Sequence, residues 1–237
     1  MSVADTGAEQ SPIRTLGILG AGRLGGVIAQ LAASAGLRVL ISASGDPRLI
    51  AGRAASLGAE PAPRESVIAE SDAVLLALPL AKFRMLLPES FRGKLVIDAM
   101  NYWWASDGIR DEFSDPRTST SELVQQHFLG ARVVKALSHM GYHDMADDAR
   151  PAGAADRKAI ALAGDEASDI ALVSSLIDAL GFDPVPAGPL AAGIALEPGA
   201  EAFGADVDAE QLREMVDGFW DSQRGIIVAR ARAESAH

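Results

Sequence analysis

Short apolar runs alternate along the chain with longer segments in which apolar residues recur every three or four positions. The runs are typical of strands covered on both faces, and the longer spacing is typical of helices packed on a sheet. Ser119 and Glu122 have the spacing of a capping box, which predicts the start of one such helix. The predicted strands are residues 13–19, 37–41, 73–78, 94–100, 132–137, 158–163 and 182–185. The predicted helices are residues 27–35, 49–57, 81–87, 122–128, 166–180 and 209–232.

This alternation predicts an α/β fold of the Rossmann type, with a doubly wound, mostly parallel sheet and a C-terminal helix. We assign residues 13–193 to a dinucleotide-binding domain that carries the active-site crevice. Residues 1–12 are polar and are expected to form a disordered tail, and residues 187–208 are predicted to be a connector or a wrapped loop. Residues 194–237 form an extended C-terminal part that packs on the domain or on a partner subunit. Its helix carries an apolar stripe that must cover the sheet, the mouth of the site or a partner. The stripe consists of Leu212, Met215, Val216, Phe219 and Trp220.

Gly20, Gly22 and Gly25 form the pattern G-x-G-x-x-G directly after the first predicted strand and at the start of a helix. In a dinucleotide site the first glycine permits a tight turn, the second lets the backbone approach the pyrophosphate, and the third allows close packing of helix and strand. The helix N-terminus adds free amides and a positive dipole. The alternative interpretation is a glycine-rich turn without a ligand. The other residues expected to line the coenzyme in this loop are Ala21, Arg23 and Leu24.

The end of the second predicted strand indicates which coenzyme is bound. Sites that prefer NAD place an acidic residue there to bind the ribose hydroxyls, whereas this chain has Ser42, followed by Ala43 and Ser44. Together with Arg48, these hydroxyls favour a 2′-phosphate and therefore NADP(H). Asp46 could instead turn toward the ribose, and Arg48 is equally consistent with a solvated residue at the start of a helix.

Further contacts are expected at the carboxyl ends of other strands, where ligands lie in open α/β sheets. His139 follows such a strand and is the one histidine with a candidate catalytic role, as a polar contact or proton donor, although a structural role is equally open. Trp103 and Trp104 are consistent with buried packing, an oligomer contact or ligand stacking. The additional residues predicted to contact the cofactors are Leu78, Pro79, Leu80, Asn101, Tyr102, Leu137 and Ser138.

The amino-acid composition and the net charge exclude or disfavour several classes of function. The net charge of −11 and the lack of basic runs argue against nucleic acid or an anionic membrane as partner and favour small molecules. The sequence contains no cysteine, which excludes thiolate chemistry and suits a cytoplasmic protein. No apolar run reaches the ~18 residues of a membrane span. His139 and His143 lack the intervening glutamate of an H-E-x-x-H motif, so no metal site is predicted.

Several longer motifs resemble a known family. They are T-L-G-I-L-G-A-G-R-L-G-G (15–26), L-V-I-D-A-M-N-Y (95–102), T-S-E-L (120–123), A-R-V-V-K-A-L (131–137), A-L-A-G-D-E (161–166) and P-A-G-P-L (186–190). With them the chain resembles the NADPH-dependent reductases of the deazaflavin coenzyme F420. The resemblance implies hydride transfer between NADP(H) and F420, with NADP on the glycine loop and on residues 42–44. It implies that the stretches after Met100 and after Ala136 border the deazaflavin. The resemblance and the apolar stripe suggest a homodimer.

The chain departs from the family pattern at two places. Gly45 stands where the family usually has an arginine, and Leu137, Ser138 and His139 replace the usual residues after V-V-K-A. Direct hydride transfer between two rings requires positioning rather than an acid–base pair, so the absence of such a pair is compatible with catalysis. Two alternatives stay open: an NADPH-dependent reductase of another small electrophile, such as a flavin, ferric chelate or imine, and a non-catalytic NADP-binding protein.

Overall fold

The computed structural model describes residues 12–235, and within them an eight-stranded sheet forms the centre of the fold. The strand order is β3-β2-β1-β4-β5-β6-β7-β8. The first six strands are parallel, β7 is antiparallel to β6, and β8 is parallel to β7. The predicted Rossmann-type fold is therefore confirmed. The strands are β1 (Thr15–Leu19), β2 (Arg38–Ser42), β3 (Glu60–Pro61), β4 (Ala73–Leu76), β5 (Leu95–Asp98), β6 (Arg132–Ala136), β7 (Ala159–Gly164) and β8 (Asp183–Pro186).

Helices cover both faces of this sheet. One layer of buried apolar residues includes Ile28 of α1 and Val173 of α7, and the opposite layer includes Val67 of α3 and Val124 of α5. The capping box predicted at Ser119 is present, with both reciprocal hydrogen bonds. The helices are α1 (Arg23–Ser34), α2 (Ala51–Ser56), α3 (Arg64–Glu70), α4 (Trp104–Asp107), α5 (Thr120–His127), α6 (Tyr142–Asp148), α7 (Ala167–Ala179), α8 (Ala209–Gly218) and α9 (Gln223–Ser235).

Several predicted elements differ from the structure. The helix expected at 81–87 is a 3₁₀ segment, Leu80–Met85, and the sequence prediction missed β3, α3, α4 and α6. The helix expected at 209–232 is interrupted by the 3₁₀ turn Phe219–Asp221. Gly225 allows this break, because a Cβ there would lie 2.0 Å from the Phe219 carbonyl oxygen. The tail predicted over residues 1–12 lies outside the described residues except for Pro12, as does His237.

The C-terminal part packs directly on the sheet. The proposed boundary at residue 193 falls within the buried 3₁₀ segment Leu190–Leu196, which contacts β7, so residues 187–208 wrap the sheet. Leu212 and Val216 pack against β7 and β8, which is one of the three coverings that the sequence allowed for the stripe. Phe219 is buried in a small cluster with residues of the 3₁₀ segment, whereas Trp220 is half exposed.

The carboxyl ends of five neighbouring strands meet at one edge. The register pairs Ser42 with Leu19, Leu19 with Leu76, Leu76 with Asp98, and Asp98 with Lys135. The residues that follow these positions therefore lie side by side along the edge at which ligands bind in open α/β sheets.

Candidate dinucleotide-binding site

The first and third glycines of the loop after β1 are required by the backbone itself. Gly20 has φ +120°, and a Cβ on it would lie 2.1 Å from the carbonyl oxygen of Ala77. Its amide donates to the Ser42 carbonyl at 2.9 Å, which joins the glycine loop to the end of β2. A Cβ on Gly25 would lie 1.9 Å from the Gly20 carbonyl oxygen. The tight turn and the close packing of α1 on β1 therefore both depend on glycine.

The second glycine has a different environment. Apart from Gly22 itself and its two chain neighbours, no atom of residues 12–235 lies within 4 Å of the position that a Cβ on Gly22 would occupy, and its φ of −76° suits any residue. Gly22 precedes α1 and lines a cavity. The first amides of a helix have no partner within the helix and present a partial positive charge. The open space at Gly22 is therefore the position where an anion can approach these amides closely.

The cavity has a volume of about 450 Å³ and lies at the carboxyl ends of β1, β2 and β4. Most of the lining residues are apolar or glycine, and Ser42 and Ser44 lie on the β2 side. Of the residues predicted from the sequence to contact the coenzyme, it brings together Gly20, Ala21, Gly22, Ser42, Ala43, Ser44, Leu78 and Pro79. It is also lined by Leu19, Arg64, Ala77, Lys82, Met85 and Leu86.

Two cationic side chains in this lining were missed by the sequence prediction. Arg64 begins α3 and Lys82 lies in the 3₁₀ segment after β4, and both residues are exposed. Within residues 12–235 neither side chain has a hydrogen bond or ion pair, and no acidic residue lines the cavity. The cavity therefore favours an anionic ligand, although the whole chain has a net charge of −11. Both residues lie far from the glycine motif in sequence. Lys82 follows a predicted strand end, which could have indicated it, whereas no sequence signal indicates Arg64.

Arg48 is not in the cavity wall. Its guanidinium binds the Asp46 carboxylate, with Nη2 at 2.5 Å and Nε at 2.9 Å from Oδ2, and the Arg48 side chain is 89% exposed. The hydrogen bond from the Arg48 side chain is the main cause that lowers the pKa of Asp46. Asp46 also accepts from the Arg48 amide. The two residues that the sequence left as alternative partners of the ribose therefore bind each other.

The other predicted residues of the α1 and β4 loops lie around the cavity rather than in it. Arg23 donates to the Tyr142 hydroxyl at 2.7 Å, which ties the start of α1 to α6. Leu24 is half buried against the core, and Gly25 is buried beneath the loop. Leu80 is fully buried in the layer beneath the sheet. The glycine loop is therefore held on two sides by packing that does not depend on a ligand.

At the ends of β5 and β6, Asn101 and Ser138 form a cross-strand contact. The Asn101 amide nitrogen donates to the Ser138 carbonyl at 2.6 Å. The Asn101 Oδ1 and Ser138 Oγ atoms are buried without a hydrogen-bond partner among the described residues. The preceding residue, Leu137, has φ +59°, a left-handed conformation that is costly for a leucine. Strain and unpaired polar atoms therefore coincide at the edge next to the cavity.

Tyr102 turns away from this edge. Its hydroxyl donates to the Gly108 carbonyl and accepts from the Arg110 amide, and its ring packs on Phe113 at a centroid distance of 5.5 Å. It lines a separate cavity of about 260 Å³ beside α9. Trp103 packs edge-on against Phe203 but is 50% exposed, and Trp104 is 71% exposed. The buried packing that the sequence allowed for the two tryptophans is therefore not observed.

His139 lies inside the fold and does not line the cavity. It is 1% exposed, and its Nε2 accepts from the Ala161 amide of β7 at 2.9 Å. Burial lowers the pKa of His139 to about 4, and a contact with the Ala202 backbone opposes this shift only in part. The neutral ring joins the β6 end to β7. This placement does not support the proton donor that the sequence suggested.

A buried ion pair lies at the ends of β5 and β6. Lys135 and Asp98 are both fully buried, with Nζ 3.6 Å from Oδ2. The same carboxylate accepts from the Ser121 hydroxyl at 2.6 Å and from the Met100 amide at 2.9 Å, and Lys135 donates to the Met100 carbonyl. These bonds hold the ends of β5 and β6 together. A charged residue inside each of two apolar strands was the sequence signal for this pair.

Residues 12–235 contain neither a metal-binding cluster nor a membrane-spanning helix. No cluster of three or more histidine, cysteine, aspartate or glutamate side chains there is arranged to hold a metal ion. No helix in the same part of the chain has the length and apolar character to cross a membrane.

Part of the chain matches a known protein family. Residues 15–102, from β1 to the end of β5, match the family model described as NADP oxidoreductase coenzyme F420-dependent. The family resemblance is confirmed. The matched segment contains every strand end that lines the cavity, and it supports the coarser prediction of an NADP-dependent oxidoreductase. No curated protein matches the chain.

Solved structures share the fold. A hypothetical protein from Sinorhizobium meliloti is 26% identical, with a TM-score of 0.72 over 81% of this chain and 94% of that chain. A candidate F420-dependent NADP reductase from Arthrobacter sp. is 24% identical, with a TM-score of 0.62 over 88% and 94% of the two chains. A reductive aminase from Aspergillus terreus in complex with NADPH4 is 18% identical, with a TM-score of 0.55 over 78% and 58%. At these identities the last two show the fold alone.

Proposed function

We propose that this protein is an oxidoreductase that transfers hydride between NADP(H) and the deazaflavin coenzyme F420. The observation that carries the proposal is the cavity formed by the glycine loop and by Ser42 and Ser44, in the segment that matches the F420-dependent family. Its open glycine position and its unpaired cations suit a phosphorylated dinucleotide. No acidic residue in the described cavity wall opposes a 2′-phosphate.

The chain's own residues act mainly by positioning. The amides at the start of α1 would bind the diphosphate, and the β2 loop would hold the adenosine ribose. The nicotinamide ring would then extend along the sheet edge toward Asn101 and Leu137, at strand ends that the buried Lys135 pair holds in place. The deazaflavin would then lie beside the same two strand ends, a placement that the family resemblance supports.

The chemistry requires little more from side chains. NADPH, oxidised F420 and one proton give NADP⁺ and reduced F420, and the hydride passes directly between two ring carbons. Distance, angle and exclusion of water are then the contributions of the protein. His139 is buried and neutral and does not line the cavity, so the proposal gives it no role as a proton donor.

The test is to mix the purified protein with NADPH and oxidised F420 and to follow the deazaflavin absorbance. We expect the absorbance to bleach with the wild-type protein and to persist with Gly22→Val, whose side chain would fill the anion position. If NADPH binds but F420 is not reduced, the proposed acceptor is wrong. A flavin, a ferric chelate and an imine are then the acceptors to try. NADPH binding without turnover of any acceptor would indicate a non-catalytic NADP-binding protein.

A further inference from the structure

We propose that Arg64, at the start of α3, binds the adenosine 2′-phosphate and thereby sets the preference for NADP over NAD. The inference rests on the proposed function, because it assigns a residue to the same cavity. Arg64 lies 20 residues after Ser44, outside the loop at the end of β2 that normally determines coenzyme preference.

The position of Arg64 is fixed by the fold. The Ala62 amide donates to the Ile41 carbonyl at 3.0 Å, which ties the segment before α3 to β2 one residue before Ser42. Val67 and Ile68 of α3 are buried, and the helix packs against β1 and β2. The start of α3 therefore stays beside the end of β2. Arg64 lines the cavity together with Ser42 and Ser44.

The charges favour Arg64 over the arginine that is closer in sequence. The guanidinium of Arg48 is held by Asp46 through its Nε and Nη2 atoms, and Arg48 does not line the cavity. Arg64 has no side-chain partner within residues 12–235. An arginine that is free and faces a cavity can offer two parallel N–H donors to a phosphate at no cost of breaking an existing ion pair.

Lys82 is the competing cation in the same wall. It lies in the 3₁₀ segment that follows β4, and β4 is separated from β2 by β1. The ribose of the adenosine half is bound at the end of β2 in this fold. Lys82 is therefore placed for another part of the ligand, and Arg64 is placed for the 2′-phosphate.

The experiment compares the affinities of two small probes, 2′,5′-ADP and 5′-AMP, which differ only in the 2′-phosphate. Calorimetric titrations are made on the wild type, Arg64→Gln, Arg48→Gln and Lys82→Gln. We expect Arg64→Gln to weaken 2′,5′-ADP about 10- to 100-fold, as for the loss of charge-assisted hydrogen bonds, and to leave 5′-AMP within about twofold. Arg48→Gln should change neither probe, and Lys82→Gln should weaken both probes alike or neither. Thermal unfolding checks that each exposed substitution leaves the fold unchanged.

The outcomes separate this inference from the function on which it rests. Unchanged 2′,5′-ADP binding in Arg64→Gln, or a selective loss in Arg48→Gln or Lys82→Gln, would overturn the assignment of Arg64 even if the wild type reduces F420 with NADPH. If the wild type binds 2′,5′-ADP no more tightly than 5′-AMP, the proposed 2′-phosphate site is wrong, and so is the proposed coenzyme.

Discussion

Acid should destabilise the folded protein through one buried histidine. His139 is 1% exposed, and its Nε2 accepts a hydrogen bond that a protonated ring could not accept. Burial lowers its pKa from 6.5 to about 4. Between these two values the unfolded chain binds a proton that the folded chain does not. Stability is therefore complete above the unfolded value and is lost as the pH falls toward 4.

The size of the effect follows from the two pKa values. At about 1.4 kcal/mol for each tenfold change in proton affinity, the stability lost through His139 is about 2 kcal/mol at pH 5 and about 3 kcal/mol at pH 4. For a chain of this size that is a substantial part of a typical free energy of unfolding, which is about 5–15 kcal/mol.

The assay is urea unfolding of the wild type and of His139→Gln from pH 7.5 down to pH 4.5. The glutamine carbonyl can accept from the Ala161 amide but does not titrate. Carboxyl groups, including Asp169 and Asp206 with their raised pKa values, titrate in both proteins and cancel in the difference. We expect the wild type to lose about 2 kcal/mol more than the variant by pH 5. Equal losses would refute the buried, neutral histidine. If the pH profile of turnover loses an ionisation in the His139→Gln variant, His139 takes part in catalysis.

Three further predictions concern the buried Lys135–Asp98 pair, the end of β2 and the glycine loop. Lys135→Met leaves the Asp98 carboxylate buried without a cation and should cost about 3–5 kcal/mol in urea unfolding, with most of the loss recovered when Asp98→Asn is added; a loss below about 1 kcal/mol would contradict this. Ser42→Asp puts a carboxylate beside the expected 2′-phosphate and should weaken NADPH more than NADH in fluorescence titrations, whereas equal losses would place coenzyme selection elsewhere. Gly25→Ala forces a Cβ to 1.9 Å from the Gly20 carbonyl oxygen, so the melting temperature should fall, and an unchanged value would mean that the loop relaxes freely.

The sheet was largely predictable because its strands are buried on both faces and appear as apolar runs. β1, β4 and β5 end within two residues of their predicted ends. An apolar run does not show whether a strand is parallel or antiparallel to its neighbours, so the antiparallel orientation of β7 could not be predicted from the sequence. The two-residue β3 is too short to show a period.

The candidate site was predictable only where its chemistry is local. The three glycines act within one turn, and the structure separates their roles as the motif suggests, because only Gly22 of the three has open space at the position of a Cβ. Arg64 reaches the site by tertiary packing and has no motif. Arg48 is close to the loop in sequence but is bound by Asp46, a choice of partner that spacing cannot reveal.

The central claim is that the cavity beside Gly22 binds a phosphorylated nicotinamide dinucleotide, and a titration of NADPH into the wild type and Gly22→Val tests it most directly. Beyond the two chain neighbours, no atom in the described part of the chain lies within 4 Å of a Cβ at this position, so we expect an unchanged melting temperature. Wild-type protein should saturate with one NADPH per chain, and the variant should show no saturation over the same range. Undiminished binding by the folded variant, or no binding by the wild type, would contradict the account.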